Sequence, residues 1–261
     1  MSGCKSRQAC RSGEKENILL ILTKEKEKRI QKKEHSPFPE STDFFTAISV
    51  DCVIFGLDQD SLKVLLIKSD YPLYHSKWSL LGDLISQNED IDEAADRVLY
   101  ERTGLKELFL EQVHCFGKAD RHPSGRVISV AYYTLVNIEQ IQLLKQDHEL
   151  HWHDIHTIGE LAFDHNKILE TCLKRLQQQI KTETIGFNLL PEKFSLRSLQ
   201  FLYESVLMVE LDRRNFRKKV MSTGLLIDLK ELECNVRHRP AKLFKFNRAK
   251  YDTSEIKSNF I

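Results

Sequence analysis

The chain contains 261 residues, of which 41% are hydrophobic, and this length and composition suit about two domains with apolar cores. Lysine and arginine total 39 against 38 aspartate and glutamate, which gives a formal net charge of +1. The charge is uneven: basic residues outnumber acidic ones by 10 to 6 in residues 1–41 and by 16 to 10 in residues 181–261, whereas acidic residues prevail by 22 to 13 in residues 42–180. A basic end joined to an acidic middle suggests that the end meets a polyanion.

The composition argues against a membrane protein, an exported protein and a disulfide framework. The longest early apolar run, Ile18 to Leu22, is too short for a signal-peptide core or a membrane span, so we expect a cytoplasmic protein with no membrane partner. The six cysteines form no C-x-x-C pair, which speaks against a zinc site and against a disulfide-stapled fold. We predict no cofactor.

The first two thirds of the chain have the pattern of an α/β sandwich. Residues 1–40 are polar, basic and poor in aromatic residues, which predicts a poorly ordered N-terminal extension. After it, TAISVDCVIFGL and LKVLLIK are β-branched runs, and the residues between them, Asp58 to Ser61, are of types that favour a turn. This pattern predicts a hairpin or neighbouring strands. Further predicted elements are a helix over 92–102, a strand over 126–136 and a helix over 166–181. The sandwich is expected over residues 41–165, and a connecting helix or linker over 166–184.

The last part, residues 185–261, has the pattern of a winged helix-turn-helix. Ser195 and Asp212 are N-cap candidates for two helices, and Gly224 is expected to end the second. Two strand-like runs, LLIDLKELE and KLFKFN, flank a basic turn around Arg237. Helices followed by such a hairpin predict a winged helix domain.

Residues 83–105 contain charged residues and a glycine at the spacing of a known family signature. Glu89, Arg97, Glu101 and Gly104 stand at the intervals of the Nudix signature, which runs Gly, five residues, Glu, seven residues, then Arg-Glu-apolar-x-Glu-Glu-x-Gly-apolar. The stretch, called the Nudix-like stretch below, therefore resembles the Nudix family, and the resemblance implies an α/β/α sandwich with a phosphate-cleaving magnesium site. We interpret Glu89 and Arg97 as a structural ion pair.

The departures from the signature fall on the residues that would bind the metal. Val98 and Arg102 stand where the family has Glu, and Asp83 stands where it has Gly. Positions i, i+3 and i+4 share one face of a helix, so this face offers Val98, Glu101 and Arg102 instead of three carboxylates. Mg²⁺ needs near-octahedral oxygen coordination, and a guanidinium a few Å away adds repulsion of roughly 1–4 kcal/mol. We therefore predict no metal ligand and no catalytic residue here.

A Nudix fold without its metal can still bind a polar ligand. In the family's fold, the helix of the signature and the strand that carries residues 118–121 border a pocket. The side chains that we predict to hydrogen-bond an effector there are Asp83, Glu101, Lys118, Asp120, Arg121 and Arg126. The alternative for each of them is a surface loop charge without a ligand.

A cluster of four histidines lies in the segment DHELHWHDIH. His151 and His153 would point to one side of a strand, which is how some metal sites begin. A supporting set of carboxylate and cysteine ligands is missing, so we predict no metal here either. Trp152 and the turn Phe163-Asp164-His165 resemble features near the last strand and the closing helix of Nudix domains.

The segment 212–220, DRRNFRKKV, is the most informative part of the basic end. At about 100° per residue, Phe216 and Val220 fall together on one face of a helix while the cations cluster on another. Arginine can bond guanine edges, asparagine can bond adenine, and lysine mostly holds phosphate. The residues that we predict to contact DNA are Arg213, Arg214, Asn215, Arg217 and Lys218 on the helix and Arg237, Arg239 and Lys242 on the wing.

Residues 185–204 and 212–220 resemble the second domain of the NrtR-type bacterial regulators, in which a Nudix-like domain precedes a winged helix. Within that group the likeness is to the arabinose-responsive, AraR-like branch. The resemblance implies a homodimer that binds double-stranded DNA at a palindromic operator. It also implies a small effector, either a pentose such as L-arabinose or a nucleotide sugar, that changes the affinity for DNA.

Two other functions stay open from the sequence. One is an active Nudix hydrolase of ADP-ribose or related nucleotide sugars, with a basic appendage that binds nucleic acid. The other is an interaction scaffold with no role in nucleic-acid binding. Val98 and Arg102 count against the hydrolase, and the basic helix counts against the scaffold.

Overall fold

The computed structural model describes residues 46–58, 61–143, 150–183, 185–234 and 239–253. The predicted N-terminal extension, residues 1–40, lies outside this range. The described chain divides into a mixed α/β part and a smaller helical part with its own sheet.

A mixed sheet forms the centre of the α/β part. Its strands are β1 (Ala47–Leu57), β2 (Leu62–Lys68), β3 (Trp78–Ser79), β4 (Leu81–Leu84), β5 (Glu111–Phe116), β6 (Val127–Asn137) and β7 (Leu150–Asp154). The order is β3-β2-β1-β6-β5, with β4 also paired to β1 and β7 to β2. β1 and β6 are parallel, and the other pairs are antiparallel. The predicted hairpin of β1 and β2 is confirmed. The strand expected to carry residues 118–121 is wrong in its bounds, because β5 ends at Phe116 and these residues lie in the loop that follows it.

Two helices cover the two faces of this sheet. They are α1 (Ile91–Thr103) and α2 (His165–Thr182). Side chains alternate across β1, so that Val50 and Cys52 pack on the α1 side while Val53 and Phe55 pack on the α2 side. This arrangement confirms the α/β/α sandwich, and it explains why β1 is buried on both faces from Val50 to Leu57.

Local signals set the ends of α1. The backbone N–H of Asp90 donates to the Glu93 carboxylate at 2.9 Å, which holds the first turn. At the other end, Gly104 has φ +79° and its N–H donates to the Tyr100 carbonyl at 2.7 Å. The glycine that the Nudix signature requires at this position therefore ends the helix in the left-handed region.

The second part is a winged helix domain, as predicted. After a short 3-10 helix (Ile185–Leu189) come β8 (Phe194–Ser195), α3 (Leu196–Leu207), α4 (Arg213–Thr223), β9 (Leu226–Leu232), β10 (Lys242–Phe246) and α5 (Arg248–Thr253). The predicted caps are confirmed: Ser195 accepts from the N–H of Ser198 and Asp212 from that of Asn215, and Gly224 ends α4 with φ +64°. β8, β10 and β9 form a small antiparallel sheet in that order.

The helix predicted as a connector between the two parts is α2, and it is buried against both. Ile168 and Cys172 pack with the sheet side chains, and Leu176 and Ile180 belong to the same hydrophobic cluster, which continues into Leu199 of the winged helix. The boundaries at residues 165 and 185 stay a prediction. Among the helices of the described ranges, none has the length and apolarity needed to cross a bilayer.

Gly82, directly before the Nudix-like stretch, offers a test of this packing. A Cβ added there would lie 2.3 Å from Asp51 Oδ1 and 2.8 Å from the Val50 carbonyl oxygen. We expect Gly82→Ala to lower stability by about 1–3 kcal/mol, because the backbone cannot move aside cheaply. The matched control is Gly159→Ala, where nothing lies within 4 Å of the new methyl group. Thermal unfolding followed by circular dichroism should show a lower melting temperature for Gly82→Ala alone; equal values would contradict the packing.

Candidate functional site

Arg97 is the centre of the Nudix-like stretch in the structure. Its Nε and Nη2 donate to the two carboxylate oxygens of Glu89 at 2.9 and 2.7 Å, and Nη2 also donates to the Leu84 carbonyl at 2.9 Å. Nη1 lies 3.2 Å from Glu101 and 3.7 Å from Asp83. The predicted ion pair of Glu89 with Arg97 is confirmed, and its hydrogen bonds lower the pKa of Glu89 to about 2.

The residues at this place do not fit a Mg²⁺ ion. Val98 is buried against the sheet at 1% exposure. Its side chain is a hydrocarbon at a position where the signature has a carboxylate. Glu101 already neutralises Arg97, and Arg102 adds a second guanidinium on the same helix. Across the described ranges, no group of three or more His, Cys, Asp and Glu side chains is arranged to hold a metal.

Two of the clustered histidines serve packing instead. His151 and His153 point to the same side of β7, as predicted, and both rings lie edge-on to Trp78 at centroid distances of 5.3 and 4.4 Å. Desolvation lowers the pKa of His153, which favours a neutral ring beside the indole. His148 lies outside the described residues.

A cavity of about 530 Å³ lies between the end of β5, the loop that follows it and the first turn of α2. Its lining combines aromatic rings with cationic groups. The lining residues are Tyr74, His114, Cys115, Phe116, Gly117, Lys118, Asp120, Arg121, Phe163, Asp164 and Lys167. Such a mixture suits a ligand with both a flat ring and an anionic group.

The structure separates the predicted effector residues into two places. Lys118, Asp120 and Arg121 line the cavity. Asp83 and Glu101 do not line it, because both face Arg97 in the Nudix-like stretch. Arg126 donates to the Gly117 carbonyl and so braces the loop that carries the lining cations.

Arg121 is a buried cation at the wall of this cavity. Its side chain is 3% exposed, and its Nε and Nη2 donate to the two oxygens of Asp164 at 3.1 and 2.7 Å. A second carboxylate, that of Asp51, lies 3.6 Å from Nη2. A buried charge needs such partners, so this bidentate pair fixes the loop of Arg121 to the start of α2.

His165 and Asp51 complete the buried network under the cavity. The Nδ1 atom of His165 accepts from the Leu80 N–H at 3.0 Å and lies 3.1 Å from the Ser79 hydroxyl, while Nε2 lies 3.5 Å from Asp51. Burial lowers the pKa of His165, so the ring is neutral and its Nε2–H points to the carboxylate. Ser129 donates its hydroxyl to Asp51. The network ties the sheet, the strands before α1 and the start of α2 together.

Sequence reasoning missed an aromatic cluster beside the cavity. Phe163 has φ +53°, an uncommon conformation for a large side chain, and its ring stacks on His122 at 4.9 Å with an interplanar angle of 11°. Tyr74 meets Phe163 edge-on at 4.7 Å, and Tyr71 lies 5.5 Å from it. The signal in the sequence was Phe163 at the turn before α2, but nothing in the sequence places its partners next to it.

The exposed side of α4 carries free positive charge. Phe216 and Val220 are buried as predicted, and Tyr203 of α3 lies edge-on to Phe216 at 5.8 Å. The side chains of the opposite side are exposed, and they form no hydrogen bond or ion pair with other described residues. These cations are Arg213, Arg214, Arg217, Lys218 and Lys219. Asn215 is also exposed.

The β9–β10 hairpin differs from α4 because both lysines of β10 are paired. Lys242 lies 3.3 Å from Asp228, and Lys193 at the base of the hairpin lies 2.6 Å from Glu231. Lys245 pairs with Glu192. Arg239 is exposed, and Arg237 lies outside the described residues.

Comparisons with known proteins match both parts of the chain. Residues 186–246 match the NrtR DNA-binding winged helix domain, and residues 46–175 match the NUDIX domain. The ADPR responsive transcriptional repressor NtrR of Acinetobacter baylyi is 32% identical over 212 residues, which cover 78% of this chain and 84% of that protein. The chain belongs to the NrtR family. The resemblance to the NrtR-type regulators is thereby confirmed, and so is the order of the two domains, whereas the AraR-like branch stays a prediction.

Two further relatives are similar to this NrtR family member. The crystal structure of Shewanella oneidensis NrtR complexed with a 27mer DNA superposes with a TM-score of 0.66 at 29% identity, covering 76% of this chain and 93% of that one. The ADP-ribose pyrophosphatase of Methanocaldococcus jannaschii is 28% identical over 128 residues, which cover 49% of this chain and 73% of that enzyme. The resemblance to the enzyme covers less of this chain than the resemblance to the regulator does.

The paired lysines of the hairpin lead to a test on DNA. We expect Asp228→Asn to free Lys242 for a phosphate contact and to remove a charge that repels DNA. The plot of log affinity against log salt should then steepen by about 0.9, the value for one additional phosphate neutralised. Glu170→Gln on α2 is the control, because it also breaks an ion pair between exposed side chains, with Lys174. Equal slopes for Asp228→Asn and wild type in fluorescence anisotropy would mean that the hairpin does not approach DNA.

Proposed function

We propose that this protein is a transcriptional regulator whose Nudix domain binds a nucleotide sugar, first of all ADP-ribose, without hydrolysing it. Its winged helix then binds an operator with an affinity that depends on the ligand. The observation that carries the proposal is the joint match to both domains of a regulator that is ADPR responsive. Following the family resemblance, the proposal includes a homodimer, a palindromic operator and action in the cytoplasm.

The charge of α4 supports binding to DNA through this helix. Its exposed cations lack protein partners within the described residues, so their positive charge is available to phosphates and guanine edges. Asp212 caps the helix and accepts from the Asn215 N–H at 2.8 Å, which fixes the first turn that carries Arg213 and Arg214. In helix-turn-helix proteins it is the N-terminal part of the second helix that reaches base edges.

The cavity supports a nucleotide sugar over a free pentose. Its volume of about 530 Å³ lies within the range of roughly 300–1,000 Å³ for sites that hold drug-sized ligands, which a pentose would leave largely unfilled. Tyr74, Phe116 and Phe163 provide surface for a base, while Lys118, Lys167 and Arg121 provide donors for phosphate. The similarity to the ADPR responsive regulator of Acinetobacter also supports ADP-ribose as the ligand instead of the L-arabinose that the AraR-like resemblance implies.

The Nudix-like stretch supports binding without cleavage. Hydrolysis in this family depends on carboxylates that hold Mg²⁺, and here Glu89, Glu101 and Asp83 all face Arg97. Hydrolysis of ADP-ribose is the second candidate, favoured only by the similarity to the pyrophosphatase from Methanocaldococcus.

The DNA contacts can be tested on α4. We expect Arg214→Ala and Arg217→Ala each to weaken binding to the operator about 5- to 100-fold, the range for one arginine that contacts a base. Lys181→Ala is the control, because it removes one exposed positive charge at the end of α2, outside the winged helix. Fluorescence anisotropy with the DNA upstream of the protein's own gene measures the effect. Unchanged affinity in both arginine variants would refute DNA binding by this helix.

The ligand can be tested on the cavity. ADP-ribose should raise the melting temperature and change the affinity for DNA, whereas L-arabinose at the same concentration should do neither. We expect Lys167→Ala to weaken ADP-ribose binding, because Lys167 lines the cavity. Lys174→Ala, seven residues further along the same helix, should leave it unchanged. Stabilisation by L-arabinose alone would refute the nucleotide-sugar proposal.

The absence of hydrolysis can be tested directly. Wild-type protein with Mg²⁺ or Mn²⁺ should release no AMP from ADP-ribose by chromatography. The double variant Val98→Glu and Arg102→Glu shows whether carboxylates at these positions are enough to restore turnover. Metal-dependent release of AMP by the wild type would favour the hydrolase instead.

A further inference from the structure

A single helix, α2, extends from the cavity to the winged helix. Its first turn lies at the cavity, where Asp164 and Lys167 belong to the lining. Its last turns lie against the winged helix, where the Gln177 side-chain amide donates to the Val206 carbonyl at 3.0 Å. With 18 residues, the helix is about 27 Å long at 1.5 Å per residue.

The contacts at the far end continue to the DNA-binding surface. Gly186, at the start of the winged helix domain, is enclosed by Ile180 of α2 and Leu202 of α3, which would lie 3.2 and 3.1 Å from a Cβ added there. The next residue of α3, Tyr203, packs edge-on against Phe216 of α4. Packed cores have little room for gradual deformation, so a displacement of α2 would move α3 and α4 with it.

At the cavity end of α2, the Arg121 guanidinium holds Asp164. Among the described residues, Asp164 is the only carboxylate at this end of the helix that lines the cavity. Asp164 occupies Nε and Nη2 of Arg121, and within the described residues Nη1 of Arg121 makes no hydrogen bond. Arg121 also lines the cavity, so Nη1 is the donor that it offers to a ligand. A phosphate that binds there would share the guanidinium with Asp164 and would bring two like charges together.

We propose that the Arg121–Asp164 pair is the latch that couples ligand occupancy to DNA affinity. The inference rests on the proposed function, because it takes the diphosphate of ADP-ribose as the anionic group. An anion bound to Arg121 weakens the hold on Asp164 and repels this carboxylate, so the first turn of α2 shifts. The helix carries the shift to α3 and α4. In this device Arg121 contacts the ligand, Asp164 is a positioning residue that acts through Arg121, and neither touches DNA.

The test separates coupling from binding. Coupling is measured as the ratio of the Kd for operator DNA with and without saturating ADP-ribose, and the same ratio must appear in the Kd for ADP-ribose with and without DNA. In wild type we expect a factor of about 5 to 150. In Asp164→Asn the factor should fall to less than twofold, while DNA affinity without ligand stays within about threefold and ADP-ribose still binds by calorimetry.

Two further variants keep the result interpretable. Arg121→Lys keeps the charge but loses the bidentate geometry, so coupling should fall here too, even if Asp164→Asn does not fold. Glu170→Gln, on the exposed side of the same helix, breaks an ion pair with Lys174 and should leave coupling at the wild-type value.

The outcomes distinguish the latch from the proposed function. Loss of coupling in Asp164→Asn and Arg121→Lys, with both ligands still bound, supports the latch. Full coupling in both variants overturns the latch and leaves the regulator intact. No effect of ADP-ribose on DNA binding in wild type overturns the proposed function and the latch together.

Discussion

The structure depends on the burial of α2 between the mixed sheet and the winged helix. Its apolar side, with Ile168, Cys172, Leu176 and Ile180, belongs to one hydrophobic cluster that begins in the mixed sheet and ends in the winged helix. Burial of apolar side chains is the main stabilising term in folding, so neither part can lose contact with α2 cheaply. If a ligand displaced one end of a helix held in this way, the winged helix packed on the other end would move with it.

In the proposed function, an ion pair stands where a hydrolase of this fold would hold its metal, and the domain binds a ligand without cleaving it. Three carboxylates of the Nudix-like stretch face the Arg97 guanidinium, which supplies positive charge that would otherwise come from a cation. Val98, at 1% exposure, adds an apolar side chain to the core under α1, and it removes a carboxylate that could coordinate a metal. The stretch thus keeps its role in folding, with Gly104 ending the helix and Glu89 bracing the loop, while in the proposed function it no longer cleaves the ligand.

The sequence predicted the fold well because its signals are local. Helix caps at Ser195 and Asp212, the terminating Gly224 and the β-branched run of β1 each depend on neighbouring residues, and each is confirmed. The cavity depends on contacts between distant segments. Arg121 was found as a candidate, but Asp164 is 43 residues away in the sequence, and no spacing rule joins them. Asp51 stands in a β-branched run, where a charged residue at an inward position was the available hint of a buried network.

Electrostatics alone does not account for the proposed coupling between ligand and DNA. The proposed ligand, ADP-ribose, would add negative charge to a protein that also binds a polyanion, so direct repulsion is the simplest coupling to consider. The Debye length is about 8 Å at physiological salt, and a helix of about 27 Å is more than three times longer. Over that distance, interactions between solvent-exposed charges are largely screened. The proposed coupling therefore needs a contact path, and it assigns this path to α2, which has Asp164 at one end and contacts Val206 through Gln177 near the other.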